Sequence, residues 1–233
     1  MIAGRRVVAL VPARAGSKGL AGKNLRKVGE LSLVGRAVVG ALKSAYVDAV
    51  FVSSEDPAIL EEGARFGAIP HERSRMAASD SASASDVVGE FLSGGFAEFD
   101  SEAVLLYLQP TSPLRTASNI DECLELLDLH AGLPVVSLAR RPISKQKLVS
   151  VSKDGTLVAP AGASVATSNR QELGSWWQPN GALYAFRVQD FLIRGDFPID
   201  GAHPYWMDDL DSVDIDSESD LLLAEMLYRM RHA

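Results

Sequence analysis

Two six-residue segments, Val7-Val-Ala-Leu-Val-Pro12 and Ala103-Val-Leu-Leu-Tyr-Leu108, are apolar at nearly every position. A strand with one wet face alternates polar and apolar residues. A strand apolar throughout has to be covered on both faces, as happens in the middle of a parallel sheet sandwiched by helices. Val47-Asp-Ala-Val-Phe-Val52 and Pro134-Val-Val-Ser-Leu138 read as further strands. Helical spacing fills the intervals: Ser32 to Ala45, Asp56 to Phe66 with Pro57 in its first turn, and Ser85 to Phe96. Ser118-Asn-Ile-Asp121 opens another helix with a start resembling a capping box. Strand, helix, strand repetition through the first 140 residues implies right-handed βαβ units and a mostly parallel sheet.

The pattern changes after Arg140. To about Gln178 the chain has short alternating stretches, turn signals at Asp154-Gly155 and Pro160-Ala-Gly162, and the pair Trp176-Trp177. This reads as an inserted β-rich arm, residues 140–178, within one domain of residues 1–233. Gly181-Ala-Leu-Tyr-Ala-Phe186 resumes the sheet. Ser217 to Arg231 closes it as an amphipathic helix, with Asp216 and Ser217 as cap candidates.

The loop leaving the first strand, Arg14-Ala-Gly-Ser-Lys-Gly-Leu-Ala-Gly-Lys-Asn-Leu25, carries the chemistry. The first 29 residues hold seven cations and no acid, while the remainder holds 16 cations against 30 acids, within a net charge of -7. Positive charge gathered on one glycine-rich loop of an acidic protein suggests a polyanion site, a nucleoside triphosphate above all. Two familiar phosphate loops do not fit. A P-loop needs Gly, four residues, then Gly-Lys-Ser/Thr, but Ser17 stands at the first position and Asn24 follows Lys23. A dinucleotide fingerprint needs Gly-x-Gly-x-x-Gly, whereas Gly16, Gly19 and Gly22 are each three apart.

Composition removes several classes. A pI near 5.1 argues against a nucleic-acid-binding face. The lone Cys123 lies in an apolar helical pattern and excludes an intrachain disulfide. No run is long and apolar enough for a membrane span, since Leu31 to Val52 is broken by Arg36, Lys43 and Asp48. The N-terminus lacks a signal-peptide arrangement, so the cytoplasm is the expected compartment. His71, His130, His203 and His232 have no metal-ligand spacing and read as surface groups.

Asp214-Ile-Asp216 is the second constellation. In an extended segment residues two apart share a side, so both carboxylates can hold one cation. Oxygen ligands beside a triphosphate favour Mg²⁺, with Mn²⁺ able to replace it. The competing reading makes Asp216 the cap of the last helix and Asp214 a turn residue. Gln109 leaves the end of a central strand, where open parallel sheets bind ligands, and its amide can both donate and accept. Arg115 either pairs with a carboxylate or braces its loop.

Arg14-x-x-Ser-Lys-Gly and Lys23-Asn24 after a strand ending Val-Pro-Ala resemble the cytidylyltransferases that activate nonulosonic acids, above all the CMP-N-acylneuraminate (CMP-sialic acid) synthetases. Further matches run in order: Val52-Ser-Ser-Glu-Asp56, Ala78-Ser-Asp80, Leu108-Gln-Pro-Thr-Ser-Pro-Leu-Arg115, Arg170-Gln171, Pro179-Asn-Gly-Ala-Leu-Tyr184 and Val213-Asp-Ile-Asp216. The resemblance implies a three-layer, mostly parallel, Rossmann-like sheet with a dimerisation arm, and a homodimer. It implies transfer of CMP from CTP to the anomeric hydroxyl of a nonulosonic acid. Arg14, Lys18, Lys23, Asp214 and Asp216 would carry the reaction, the two aspartates as metal ligands. Ala13, Gly16, Ser17, Asn24, Arg73, Asp80 and Ser83 would complete the nucleotide site. Gln109, Lys147 (or Lys145), Arg170, Asn180, Gly181, Tyr184 and Phe197 would face the sugar, Arg170 that of the neighbouring subunit. The alternatives are a metal-dependent glycosyltransferase and a catalytically silent nucleotide-binding regulator on the same fold.

Overall fold

The structure, a computed structural model, describes residues 1–16, 19–79, 81–94, 101–141, 150–151, 153, 156–158 and 176–232. In chain order it runs β1 (Val7–Pro12), a 3₁₀ turn (Lys23–Leu25), β2 (Lys27–Val28), β3 (Leu31–Ser32), α1 (Leu33–Leu42), β4 (Ala49–Ser54), α2 (Pro57–Arg65), β5 (Ile69–Glu72) and α3 (Ala84–Ser93). It continues through β6 (Val104–Tyr107), α4 (Ala117–Leu129), β7 (Val135–Arg141), β8 (Ser150–Val151), β9 (Leu157–Val158), β10 (Trp176–Arg187), α5 (Val188–Arg194), β11 (His203–Trp206) and α6 (Glu218–His232). Seven strands form one sheet in the order β11-β7-β10-β6-β1-β4-β5. Strands β6, β1, β4 and β5 are mutually parallel, as are β7 and β11; β10 runs antiparallel to both of its neighbours.

The apolar segments sit where their composition requires. Alternate residues of β1 divide between two clusters: Val7, Ala9 and Val11 pack with α1 and α4, while Val8 and Leu10 pack with α3 and α5. Both faces of the strand are therefore covered. Cutting Leu10, which is fully buried, to Ala would cost about 2–5 kcal/mol by the usual range for buried leucines. A third cluster joins Leu20 of the basic loop, Leu114, Ile215 and Leu221 of α6. It packs the N-terminal loop against the C-terminal segment although nearly two hundred residues separate them.

Helix starts follow local hydrogen bonding. Ser32 caps α1 by accepting the Gly35 N–H at 2.9 Å, and Asp56 caps α2, with Pro57 in its first turn. The start of α4 falls two residues before the Ser118 read from sequence. Thr116 is the cap, its hydroxyl accepting the Asn119 N–H at 3.2 Å while Asn119 Oδ1 accepts the Thr116 N–H at 2.8 Å. The aromatic pair assigned to the arm also moves: Trp176 and Trp177 already belong to β10, opposite Arg141 and Arg140 of β7. Beyond that, β8 and β9 form an antiparallel pair flanking Asp154-Gly155, and the rest of the arm lies outside the described residues.

One histidine departs from its surface reading. His71 is 8% exposed, with Nδ1 3.0 Å from Ser53 Oγ and its ring edge-on to Phe91. As part of β5 it faces α3, because strand alternation turns it inward.

Candidate active site

A cleft of about 480 Å³ opens where β1 and β6 end. The chain leaves β1 toward β4 on one side and returns as β6 on the other, so this is the sheet's switch point, where such folds hold ligands. Pro12, Tyr107 and Gln109 come from those strand ends, Arg14 and Lys23 from the basic loop, and Asp214 and Asp216 from the segment before α6.

The loop is held by its own backbone. Ala13 N–H extends the β1–β4 ladder to Ser53 O at 2.9 Å, and Asn24, 5% exposed, donates Nδ2–H to Arg14 O at 2.8 Å. Gly22 has φ 61°, which a residue with a side chain adopts reluctantly. Gly19 serves close approach: a Cβ there would lie 2.3 Å from the Asp216 carbonyl oxygen. This glycine therefore makes room for the acidic segment. Gly16 borders open space. Ser17 and Lys18 lie outside the described residues.

The loop and the aspartate pair meet. Lys23 Nζ donates to Ile215 O at 2.9 Å and to Asp216 Oδ1 at 3.0 Å. Asp216 is not the helix cap. Ser217 takes that role, its N–H donating to Asp220 Oδ2 at 2.8 Å and its hydroxyl accepting the Asp220 N–H at 3.4 Å. The Asp216 side chain is thus free to reach the cleft. Burial holds the Asp214 carboxyl above its ordinary range; a Thr111 hydrogen bond opposes this and the charge of Asp216 reinforces it. Two acids in one cleft, one of them disfavoured as an anion, fit a divalent cation. Among the described residues no third acid, histidine or cysteine joins them in a metal-sized cluster. A Mg²⁺ there would take its other oxygens from a bound phosphate and water, the usual habit of that ion.

The segment after β6 organises the other wall. Gly181, φ 77°, sits in the irregular part of β10 where the register against β7 shifts; a Cβ on it would fall 2.2 Å from Gln109 Oε1. Arg115 braces its loop: 8% exposed, it donates from Nη1 to Gln109 O at 3.1 Å and Ala182 O at 2.7 Å. No described carboxylate pairs with it, and burial lowers its pKa to about 10. Asn180, expected to face the sugar, is held by the scaffold. It is 5% exposed, and its Oδ1 accepts from Ser137 and from Ala182 N–H. Its Nδ2 reaches Ser212 at 3.0 Å. Both polar atoms are occupied by the scaffold, which holds the bulge beneath Gln109. Tyr184 is half-buried, edge-on to Tyr107 and Phe197, and its hydroxyl is held protonated by burial and by the charge of Asp214.

On the α3 side, Arg73 and Ser83 line the cleft. The Ser83 hydroxyl is engaged as the α3 cap with Asp86. The Arg73 side chain, 4% exposed, pairs with Glu55 at 3.1 Å. Asp80, Lys145, Lys147 and Arg170 lie outside the described residues. Sequence reading missed Glu55 and Thr111. Both lie inside the blocks quoted above, directly after β4 and in the β6 loop, but nothing local marks the threonine as lining the cleft or the acid as pairing with a residue that does.

An open α/β sheet with cations and carboxylates facing one another across its switch point is the design of a nucleotide-binding protein. The chain belongs to the cytidylyltransferase family: the family model matches residues 8–196. It is 30% identical over 229 residues to the CMP-N,N'-diacetyllegionaminic acid synthase of Legionella pneumophila, covering 97% of each chain. It is 27% identical to an N-acylneuraminate cytidylyltransferase of Streptococcus agalactiae and 29% identical to N-acylneuraminate cytidylyltransferase A of Danio rerio. The chain spans about half the length of those two relatives (51% and 50%). Among solved structures, a CMP:2-keto-3-deoxy-manno-octonic acid synthetase complexed with CTP superposes with TM-score 0.69 at 17% identity, covering 97% of this chain and 99% of that one. A 4-diphosphocytidyl-2C-methyl-D-erythritol synthase superposes with TM-score 0.68 at 13% identity, covering 96% and 99%. The fold is thus that of nucleotidyltransferases. Among the described residues no helix is long and apolar enough to cross a membrane.

Proposed function

We propose that the chain couples CTP to a nonulosonic acid, releasing the CMP-sugar and pyrophosphate, and that it does so as a homodimer. The observation that carries this reading is the meeting of Lys23 with Asp216 and Ile215 O at the mouth of a switch-point cleft. The relatives' names supply the substrate class. The sugar's anomeric oxygen bonds to the α-phosphorus, the bond to the pyrophosphate oxygen breaks, and the hydroxyl proton leaves to solvent. Most of the work is positioning and charge stabilisation. Arg14, Lys18 and Lys23 hold the triphosphate, and Ser17 with the loop amides adds hydrogen bonds. Asp214 and Asp216 hold Mg²⁺, or Mn²⁺ in its place; the chemistry such an ion supplies is polarisation of the phosphate and a lower pKa for the attacking hydroxyl. Gln109, Gly181, Tyr184 and Phe197 form the sugar end with Lys147 and the partner copy's arm, Asn180 acting through the backbone it braces. Among the described residues no histidine lines the cleft, and Cys123 is fully buried in α4 with its thiol pushed up by burial, so the proposed reaction uses neither as a base.

The test is pyrophosphate release with each of the four nucleoside triphosphates and a panel of nonulosonic acids, Mg²⁺ present. Turnover confined to CTP plus one of these acids supports the reading; CTP binding without turnover would make the chain a silent regulator. Lys23→Ala should raise the KM for CTP at least tenfold and leave the KM for the sugar within about twofold, the size of one lost charge-assisted contact. A change confined to the sugar would remove the loop assignment. Size-exclusion chromatography with light scattering should return twice the chain mass of 24.9 kDa.

A further inference from the structure

Glu55 lies just outside the cleft lining, bonded to Arg73, which lines it, and to the loop that carries Arg14, and has no role in the scheme above. It follows β4 directly, and its side chain is 19% exposed. One carboxylate oxygen accepts the Ala15 N–H of the basic loop at 2.9 Å. The other accepts from Arg73, Nη2 at 3.1 Å and Nε at 3.4 Å. A single carboxylate thus registers the phosphate-side loop against the guanidinium on the α3 side.

Pairing also changes what Arg73 can recognise. A guanidinium neutralised by its own carboxylate adds little net charge for a phosphate, but it keeps a fixed array of donors and has no acceptor. Its Nη1 makes no hydrogen bond to a described residue. Ala84, Val87 and Tyr107 line the same cleft, together with Ser79 and Ser83, and give a flat heterocycle apolar surface to rest on. Cytosine presents acceptors at N3 and O2, whereas uracil carries an N–H at N3. A donor-only group welcomes the first and opposes the second.

We propose that Glu55 is a specificity-determining positioning residue: by fixing Arg73 and Ala15 together it sets the preference for cytosine over uracil in the bound nucleotide. This rests on the cytidylyltransferase reading above. Glu55→Gln keeps the shape of the side chain but leaves one acceptor oxygen for two donors, so one of the contacts is lost. The expected result is a fall of at least tenfold in the CTP:UTP ratio of kcat/KM, with the sugar KM unchanged. A ratio within twofold of the original, or an equal loss for both nucleotides, overturns the proposal, since a merely structural role would weaken both alike. If the variant does not fold, Arg73→Lys, which replaces the planar fork by one ammonium, should lower the CTP:UTP ratio of binding constants measured by calorimetry; preserved selectivity there is equally fatal. Were the unaltered protein to show no preference for CTP, the cytidylyltransferase reading itself would fail; a selective unaltered protein with an equally selective Glu55→Gln variant defeats only this inference.

Discussion

In the proposed scheme Asp214 is a carboxylate poorly placed for stability and well placed for chemistry. Burial raises its pKa, so the folded state holds its proton more tightly than the unfolded chain does. By linkage, stability falls as pH rises from the ordinary carboxylate range through that raised value, and the cost is fully present at neutral pH. Asp214→Asn should therefore raise the thermal midpoint at pH 7 to 8, the gain shrinking toward pH 4, while turnover drops by a hundredfold or more. A variant no more stable at pH 7 than the original would contradict the burial argument. Lys23 and Asp216 behave differently. Their ion pair joins a side chain 15% exposed to one 79% exposed, so water screens it and its share of stability is small, about 0–1 kcal/mol. What it signals is proximity.

At the scale of elements, the site depends on three loops packed on one another. The loop after β1 rests on the segment before α6 through Gly19, and that segment is tied to the loop after β6 by the Ile215 N–H to Thr111 O bond of 2.9 Å. Gly19→Ala places a methyl against the Asp216 carbonyl, a backbone atom that cannot swing aside. We expect a cost of about 1–3 kcal/mol, as for overpacking, together with at least a tenfold loss of turnover, read by chemical denaturation and pyrophosphate release. Thr116→Ala provides the control: losing the α4 cap should cost about 1 kcal/mol and leave both KM values unchanged, because Thr116 is not among the residues that line the cleft. Kinetics disturbed by the cap variant would mean that the loop after β6 takes its shape from α4 and not from Arg115.

For the whole molecule, the sheet is the frame and pH tests how well it is sealed. Desolvation lowers the pKa of His71, opposed by the charge of Glu90 and assisted by that of Arg73. Packed against Ser53 and Phe91, it is held neutral in the folded state, while the unfolded chain takes up a proton below about 6.5. Stability from this group is complete above that pH and declines as pH falls through the window beneath it. Replacing His71 with Leu should flatten the fall in thermal midpoint between pH 6.5 and 5; an unchanged slope would place the acid sensitivity elsewhere.

Much of this architecture was legible in the chain because local physics writes it there. Unbroken apolar runs at 7–12 and 103–108 require two covered faces, and Pro57 and Asp56 start a helix wherever they occur. A glycine-rich basic loop in an acidic protein advertises an anion, and Asp214-Ile-Asp216 advertises a cation. The resemblance implied that the basic loop and the aspartate pair meet, but the direct bond of Lys23 to Asp216, the inward turn of Asn180, the bracing role of Arg115 and the linking position of Glu55 were not legible. Each depends on distances between segments far apart in sequence, which periodicity and composition do not encode. Local preference determined the elements and the kind of chemistry; only packing, by deciding which polar groups are buried beside which partners, determined where the charges meet.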